Sequence, residues 1–204
     1  TYAAAANVIQ QLTINKKTLS VTAITDTKTY DGTTVSTAIP TVGTLATDDA
    51  INVAPAQVFD NANVGTTHVL TASGLTIKNG SADVTGNYDI SYATATGSIT
   101  AKALTITTPA VTLSKVHDGN TLAAVTAGTL SGVVAGDAGK VTVAASASYD
   151  NATVGANKTI TVTYTLGGSS AGNYSAPANY IATGAEIYSA TIALQPLSDP
   201  TPNP

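Results

Sequence analysis

Thr159-Ile160-Thr161-Val162-Thr163-Tyr164-Thr165-Leu166 alternates hydroxyl and apolar side chains without a break. A period of two is the signature of a β-strand with one buried face, here Ile160, Val162, Tyr164 and Leu166, and one face of four threonines. Branching at Cβ restricts χ1 in a helix and suits a pleated strand, so Val, Ile and Thr reinforce the assignment. Just upstream, Tyr149-Asp150-Asn151-Ala152-Thr153-Val154-Gly155 carries the Asp, Asn and Gly that a tight turn requires. That heptapeptide has a twin in Phe59-Asp60-Asn61-Ala62-Asn63-Val64-Gly65.

The duplication extends along the chain. Lys28-Thr29-Tyr30-Asp31-Gly32 returns as Lys115-Val116-His117-Asp118-Gly119, and Gly43-Thr44-Leu45 as Gly128-Thr129-Leu130. Asp49 matches Asp137, and Gly86-Asn87-Tyr88 matches Gly172-Asn173-Tyr174. The motifs keep their order at a spacing of roughly 85 to 90 residues, the size of one small domain. The spacing drifts by a few residues between motifs, and between Gly128 and Asp137 the second copy gains about three residues over the first, in the turn-like segment Leu130-Ser131-Gly132-Val133-Val134-Ala135-Gly136. Opening strands follow the same alternation: Leu19, Val21 and Ala23 in the first copy, Leu104 and Ile106 in the second. Tyr88-Asp89-Ile90-Ser91-Tyr92 begins a closing strand. Short strands, frequent turn signals and no helical period predict an all-β protein of two tandem immunoglobulin-like antiparallel β-sandwich modules, over residues 16–100 and 101–187.

Composition narrows the function. Hydrophobic residues make up 43% of the chain and charged residues 10%, against about 25% charged in an ordinary soluble domain. The net charge is −4 and there is no Arg, so the counterion release that drives nucleic-acid binding is lacking and no nucleic-acid partner is expected. There is no Cys or Met, hence no disulfide and no sulfur to oxidise. No apolar run reaches the length of a membrane span, and an export signal or anchor is expected outside these residues.

The repeated motifs read first as turn grammar. Asp31-Gly32 and Asp118-Gly119 suit a turn in which Gly takes positive φ and Asp accepts from backbone amides just ahead. Asp60-Asn61, Asp150-Asn151 and the hairpin signal Asn79-Gly80 read likewise. Tyr88 and Tyr174, each after Gly-Asn, are placed to bury a ring and bond the hydroxyl back to backbone, like the tyrosine corner of sandwich domains.

Taken together in this order, these motifs resemble the YDG repeats of large bacterial surface and secreted adhesins, including filamentous-haemagglutinin-like exoproteins. The resemblance spans roughly residues 16 to 187. It implies an extracellular protein, on a bacterial cell surface or secreted, whose repeats form a stalk or accessory adhesive segment. His117 stands where the first copy has Tyr30, which argues against a functional hydroxyl there.

Catalysis has little to work with. The only histidines, His68 and His117, occupy different places in the two copies and read as strand or turn residues rather than as the base of a nucleophilic triad, and Glu186 is the only glutamate, so a glutamate pair cannot be assembled. No catalytic, cofactor-binding or metal residue is assigned, and no cofactor is expected. Two weaker candidates are calcium at a module end, through Asp48-Asp49 with Asp60-Asn61 or Asp137 with Asp150-Asn151, and a Lys-Asn crosslink of Lys17 or Lys102 with Asn87 or Asn173. The first lacks the dense acidic spacing of a calcium loop, and the second lacks an identifiable acid partner. Asn79-Gly80-Ser81, Asn151-Ala152-Thr153 and Asn173-Tyr174-Ser175 are isolated sequons.

Residues 1–15 read as the closing strand of a preceding module or as a donor strand, and 188–204 as a strand-like segment followed by a Pro-rich tail. The expected role is mechanical and adhesive: non-catalytic stalk repeats that hold a binding region away from the cell. Partners are then neighbouring modules of the same or adjacent chains, and carbohydrate or a host surface. The alternatives are a fibre subunit assembled by β-strand donation and a carbohydrate-binding module, against which stands the absence of Trp.

Overall fold

A computed structural model describes residues 11–190. The chain divides into two compact units between Thr100 and Ala101. Among the described residues the only helical turns are three short 3-10 segments, Thr85–Asn87, Ala135–Asp137 and Ala171–Asn173.

Module 1 opens with β1 (Lys17–Thr22) and β2 (Asp26–Thr29), followed by β3 (Thr41–Val42), β4 (Asp49–Val53) and β5 (Ala56–Phe59). Then come β6 (Gly65–Ser73), β7 (Thr76–Asn79), β8 (Ala82–Asp83), β9 (Tyr88–Ala93) and β10 (Ala95–Thr100). They form sheets ordered β3-β1-β9, β2-β10-β6-β5 and β4-β7-β8. Alternation decides what is buried: Leu19 and Val21 from β1, Phe59 from β5, Leu70 and Ala72 from β6 and Ile99 from β10 all lie in the core with Tyr30 and Tyr88.

Module 2 repeats the plan with shorter opening pieces. These are β11 (Lys102–Ala103), β12 (Thr105–Ile106), β13 (Ala110–Val111), β14 (Ser114–Val116), β15 (Leu122–Ala123), β16 (Val125–Thr126) and β17 (Leu130–Ser131). The long strands β18 (Thr142–Tyr149), β19 (Gly155–Gly167) and β21 (Tyr180–Tyr188) follow, with β20 (Tyr174–Ser175) between the last two. The main sheet runs β14-β21-β19-β18-β15. Its core is Ala147, Tyr149, Ile160, Val162, Tyr164, Ala182, Ala185 and Ile187, so Ile160, Val162 and Tyr164 of the alternating stretch are buried as its period requires, while Leu166 at its end is half-buried.

The protein is therefore all-β and built of two tandem modules, but its sheets are mixed rather than wholly antiparallel. In module 1 the opening segment runs parallel to the closing one, each partner 71 positions further on, from Lys17 with Tyr88 to Thr29 with Thr100. The ladder contains six pairs between β1 and β9 and four between β10 and β2. Module 2 keeps the same arrangement from Lys102 with Tyr174 to Val116 with Tyr188, but with only two pairs and three. Pro177, which has no N–H to give, stands where module 1 has Ser91, and the β11–β20 ladder ends after Ala103 and Ser175.

Gln57 bridges the gap where β1 hands over to β2. Almost wholly buried, its side-chain oxygen accepts the Ile24 N–H at 2.9 Å while its amide donates to the Ile24 carbonyl at 2.8 Å and to Ser36 Oγ at 3.1 Å. A side-chain amide thus replaces a strand partner for the N–H and carbonyl of Ile24.

Candidate functional site

The conserved order of motifs in the two copies resolves into two repeated polar constellations. The first surrounds the late tyrosine. Tyr88 is delivered into the core at the start of β9, where its hydroxyl donates to Asp49 Oδ2 at 2.6 Å and accepts the Ala46 N–H at 2.9 Å. Tyr174 does the same at the start of β20, donating to Asp137 Oδ2 at 2.7 Å and accepting the Val134 N–H at 3.0 Å. The return to backbone expected of a tyrosine corner is present in both copies. The acids completing it, Asp49 at the start of β4 and Asp137 in the 3-10 segment Ala135–Asp137, hold matching places in the two copies. A second neutral donor serves each carboxylate: the Asn79 side-chain amide on Asp49 at 2.9 Å, and Ser170 Oγ on Asp137 at 2.9 Å.

These contacts shift both partners. The Tyr88 hydroxyl, then the Asn79 amide, hold Asp49 below the usual carboxylate range. Burial first, then the hydrogen bond to the acid, pushes Tyr88 and Tyr174 above the ordinary phenol value. A neutral phenol donating to an ionised acid is the stable pairing at neutral pH.

The second constellation explains the Lys that precedes each Asp-Gly. Lys28 Nζ lies 2.7 Å from Asp31 Oδ1, donates to the carbonyls of Thr33 and Val35 at 2.9 and 3.0 Å, and sits 5.7 Å from the Phe59 ring centroid. Lys115 reaches Asp118 at 2.7 Å, the carbonyls of Asn120 and Leu122 at 2.8 and 3.1 Å, and the Tyr149 ring at 5.5 Å. The aspartates also take the turn amides, Thr33 N–H at 2.9 Å and Asn120 N–H at 3.1 Å, while Gly32 and Gly119 adopt φ of 79° and 81°. One cation gathers a loop's carbonyls and covers an aromatic face, so the turn cannot open without stranding them. Burial opposes ionisation of Asp31, but its bonds to Lys28 and Thr33 outweigh this and lower its pKa; Asp118 is lowered first by Lys115.

A third position differs between copies. His68, buried in β6, places Nδ1 2.6 Å from Asp60 Oδ1, a contact that lowers the Asp60 pKa. The corresponding residue of β19 is the buried Lys158, which donates to Asn151 Oδ1 and, at 3.4 Å, to Thr153 Oγ1. Both steady the Asp-Asn turn before the strand.

Two of the acids named as calcium candidates have protein partners. Asp49 serves Tyr88 and Asn79, Asp60 serves His68 and the Asn61 amide, and among the described residues no group of three His, Cys, Asp or Glu is placed to hold a metal. For the crosslink candidates, the ladders set Lys17 opposite Tyr88 and Lys102 opposite Tyr174, the residues following Asn87 and Asn173. His117 is exposed where Tyr30 is buried, yet both backbone amides donate to the closing strand, to the carbonyls of Tyr188 and Thr100 at 2.8 Å. The main-chain bond is what the two copies share there. No single residue advertised Gln57 in the sequence, since Ala147 replaces it in module 2.

Fold and constellations together define a tandem all-β module protein whose repeated polar groups close loops onto their own strands. The YDG domain model matches residues 15–96 and again 100–182, and the chain belongs to the YDG domain family, in two copies. No curated protein and no solved structure matches it.

Proposed function

We propose that the two modules are non-catalytic stalk repeats of a bacterial cell-surface or secreted adhesin, extending a binding region from the cell and bearing tension along the chain. What supports this is the parallel ladder between the first and last strands of each module. A pull on the two ends of such a pair loads every inter-strand hydrogen bond in shear, so the bonds must fail together rather than one by one. In module 1 that ladder runs from Lys17 to Thr100. The tyrosine and lysine constellations serve the same end, because each ties a long loop to a strand that would otherwise peel.

Two experiments test this. Antibodies raised against the chain are expected to label intact producing cells or the medium; labelling only after lysis refutes the extracellular placement. Calorimetry and a glycan array are expected to show no saturable binding by these modules alone, and micromolar saturable binding replaces the stalk with a carbohydrate-binding module.

Fibre assembly by strand donation has one observation in its favour. Leu12 and Ile14 are 86% and 87% exposed, although Ile14 aligns with Ile99 and Ile187, the core residues of β10 and β21. The remainder of the proposed donor, residues 1–10, lies outside the described residues, as does most of the 188–204 segment. Each module fills the acceptor place with its own strand, so donation requires displacement of β10 or β21, and Ile14→Asp is expected to abolish any concentration-dependent assembly seen by light scattering.

A further inference from the structure

The β7–β8 hairpin turns on Gly80-Ser81, with Asn79 pairing across to Ala82 on one side and to Asp49 on the other. Asn79-Gly80 is the only Asn-Gly in the sequence. Both residues are exposed, Gly80 has a φ of 57°, and a Cβ built on it would meet nothing within 4 Å. Glycine nitrogen is the least hindered nucleophile a backbone can present to the preceding carboxamide, and here both residues lie exposed to the hydroxide and water the reaction needs. The Asn79 carboxamide is also one of the two donors that satisfy Asp49, the acid of the Tyr88 constellation.

We propose that Asn79 is a spontaneous modification site whose conversion releases the Asp49–Tyr88 constellation of module 1. Hydroxide removes the Gly80 amide proton, the nitrogen attacks Asn79 Cγ, and the side-chain nitrogen leaves as ammonia after taking a proton from water. Water then opens the resulting succinimide at either carbonyl to give aspartate or isoaspartate, with no oxidant or reductant involved. Either product removes the donor to Asp49 and sets a second carboxylate against it, and like charges directly opposed across a strand pair are destabilising. Isoaspartate also lengthens the backbone by one carbon at a position paired with both neighbouring strands. Module 2 is immune because its corresponding donor is Ser170 Oγ, which has no such chemistry.

The test is incubation of the full chain in mildly alkaline buffer, followed by peptide mass spectrometry and hydrogen exchange. The expected result is a gain of about 1 Da on the peptide carrying Asn79 before any other asparagine converts, with protection lost over Asp49–Val53 and Thr76–Asp83 in the converted fraction and kept in module 2. Asn79→Ser, which copies the Ser170 donor, is expected to abolish the early gain and keep the protection, and Asn79→Asp to reproduce the loss. Asn79 remaining unconverted while other asparagines convert overturns the assignment of the site. Unchanged protection in the converted fraction and in Asn79→Asp overturns the release.

Discussion

Replacing Tyr174 with Phe isolates the tyrosine constellation where its acid is most buried. Asp137 is 7% exposed and accepts from Tyr174 and Ser170. The substitution keeps the ring and removes one oxygen, so the Asp137 carboxylate loses a donor at 2.7 Å and the Val134 N–H loses its acceptor at 3.0 Å. A hydrogen bond to a charged group contributes about 1.5–3 kcal/mol and a stranded backbone amide costs about 1 kcal/mol more, so the loss expected is about 2.5–4 kcal/mol. For a module of this size that lowers the melting temperature by about 10–25 °C. Calorimetry with hydrogen exchange on module 2 peptides measures it, and the Tyr174→Phe and Asp137→Asn double-mutant cycle isolates the pair, with a coupling of about 1–2 kcal/mol expected. A loss under about 0.5 kcal/mol, the range of an ordinary surface change, or additive single mutants, would refute a linked tyrosine and acid.

Other outcomes follow from the same geometry. Gln57→Ala strands the Ile24 N–H and carbonyl between β1 and β2 and should cost module 1 about 2–4 kcal/mol by denaturant titration, while Gln57→Glu, which keeps the acceptor but loses the amide donor, should not restore it. Lys115→Met keeps the aliphatic stem and loses the contacts to Asp118, Asn120 and Leu122; about 1–3 kcal/mol is expected, read as faster exchange at Asn120 and Leu122. Stability should also fall at both ends of the pH range. Asp49, Asp60 and Asp118 have folded pKa values below their unfolded ones, so their contribution is complete above about pH 4 and fades as pH drops through the folded values. Tyr88 and Tyr174 are raised, so theirs is complete below about pH 10 and fades as pH climbs through the folded values. A denaturant midpoint unmoved at both extremes contradicts these assignments.

Much of this architecture was legible because strand alternation and turn chemistry are local. The period of two at 159–166 marked the buried face of β19, and Asp-Gly marked both turns at positive φ. Pairing direction was not legible. Whether β1 meets β9 parallel or antiparallel depends on how the intervening chain crosses, and no residue from Lys17 to Thr22 differs between those outcomes. The tyrosine corner was visible as a residue type before a strand, and Asp49 and Asp137 were visible as a matched pair. Their meeting across about 40 positions of sequence is a tertiary fact. The lysine clamp was hidden for another reason: an exposed-looking Lys before a turn reads as solvated, and only the aromatic at Phe59 or Tyr149 beneath it shows that it is held.

Stretching single molecules by the ends of the chain tests the tension-bearing account most directly. Two separate unfolding events are expected, each releasing roughly 250–300 Å of chain for a module of this length, and module 2 should yield first because its parallel ladder has two and three pairs against six and four. Featureless extension at low force, or module 1 yielding before module 2, would contradict the shear-loaded ladder as the basis of the protein's function.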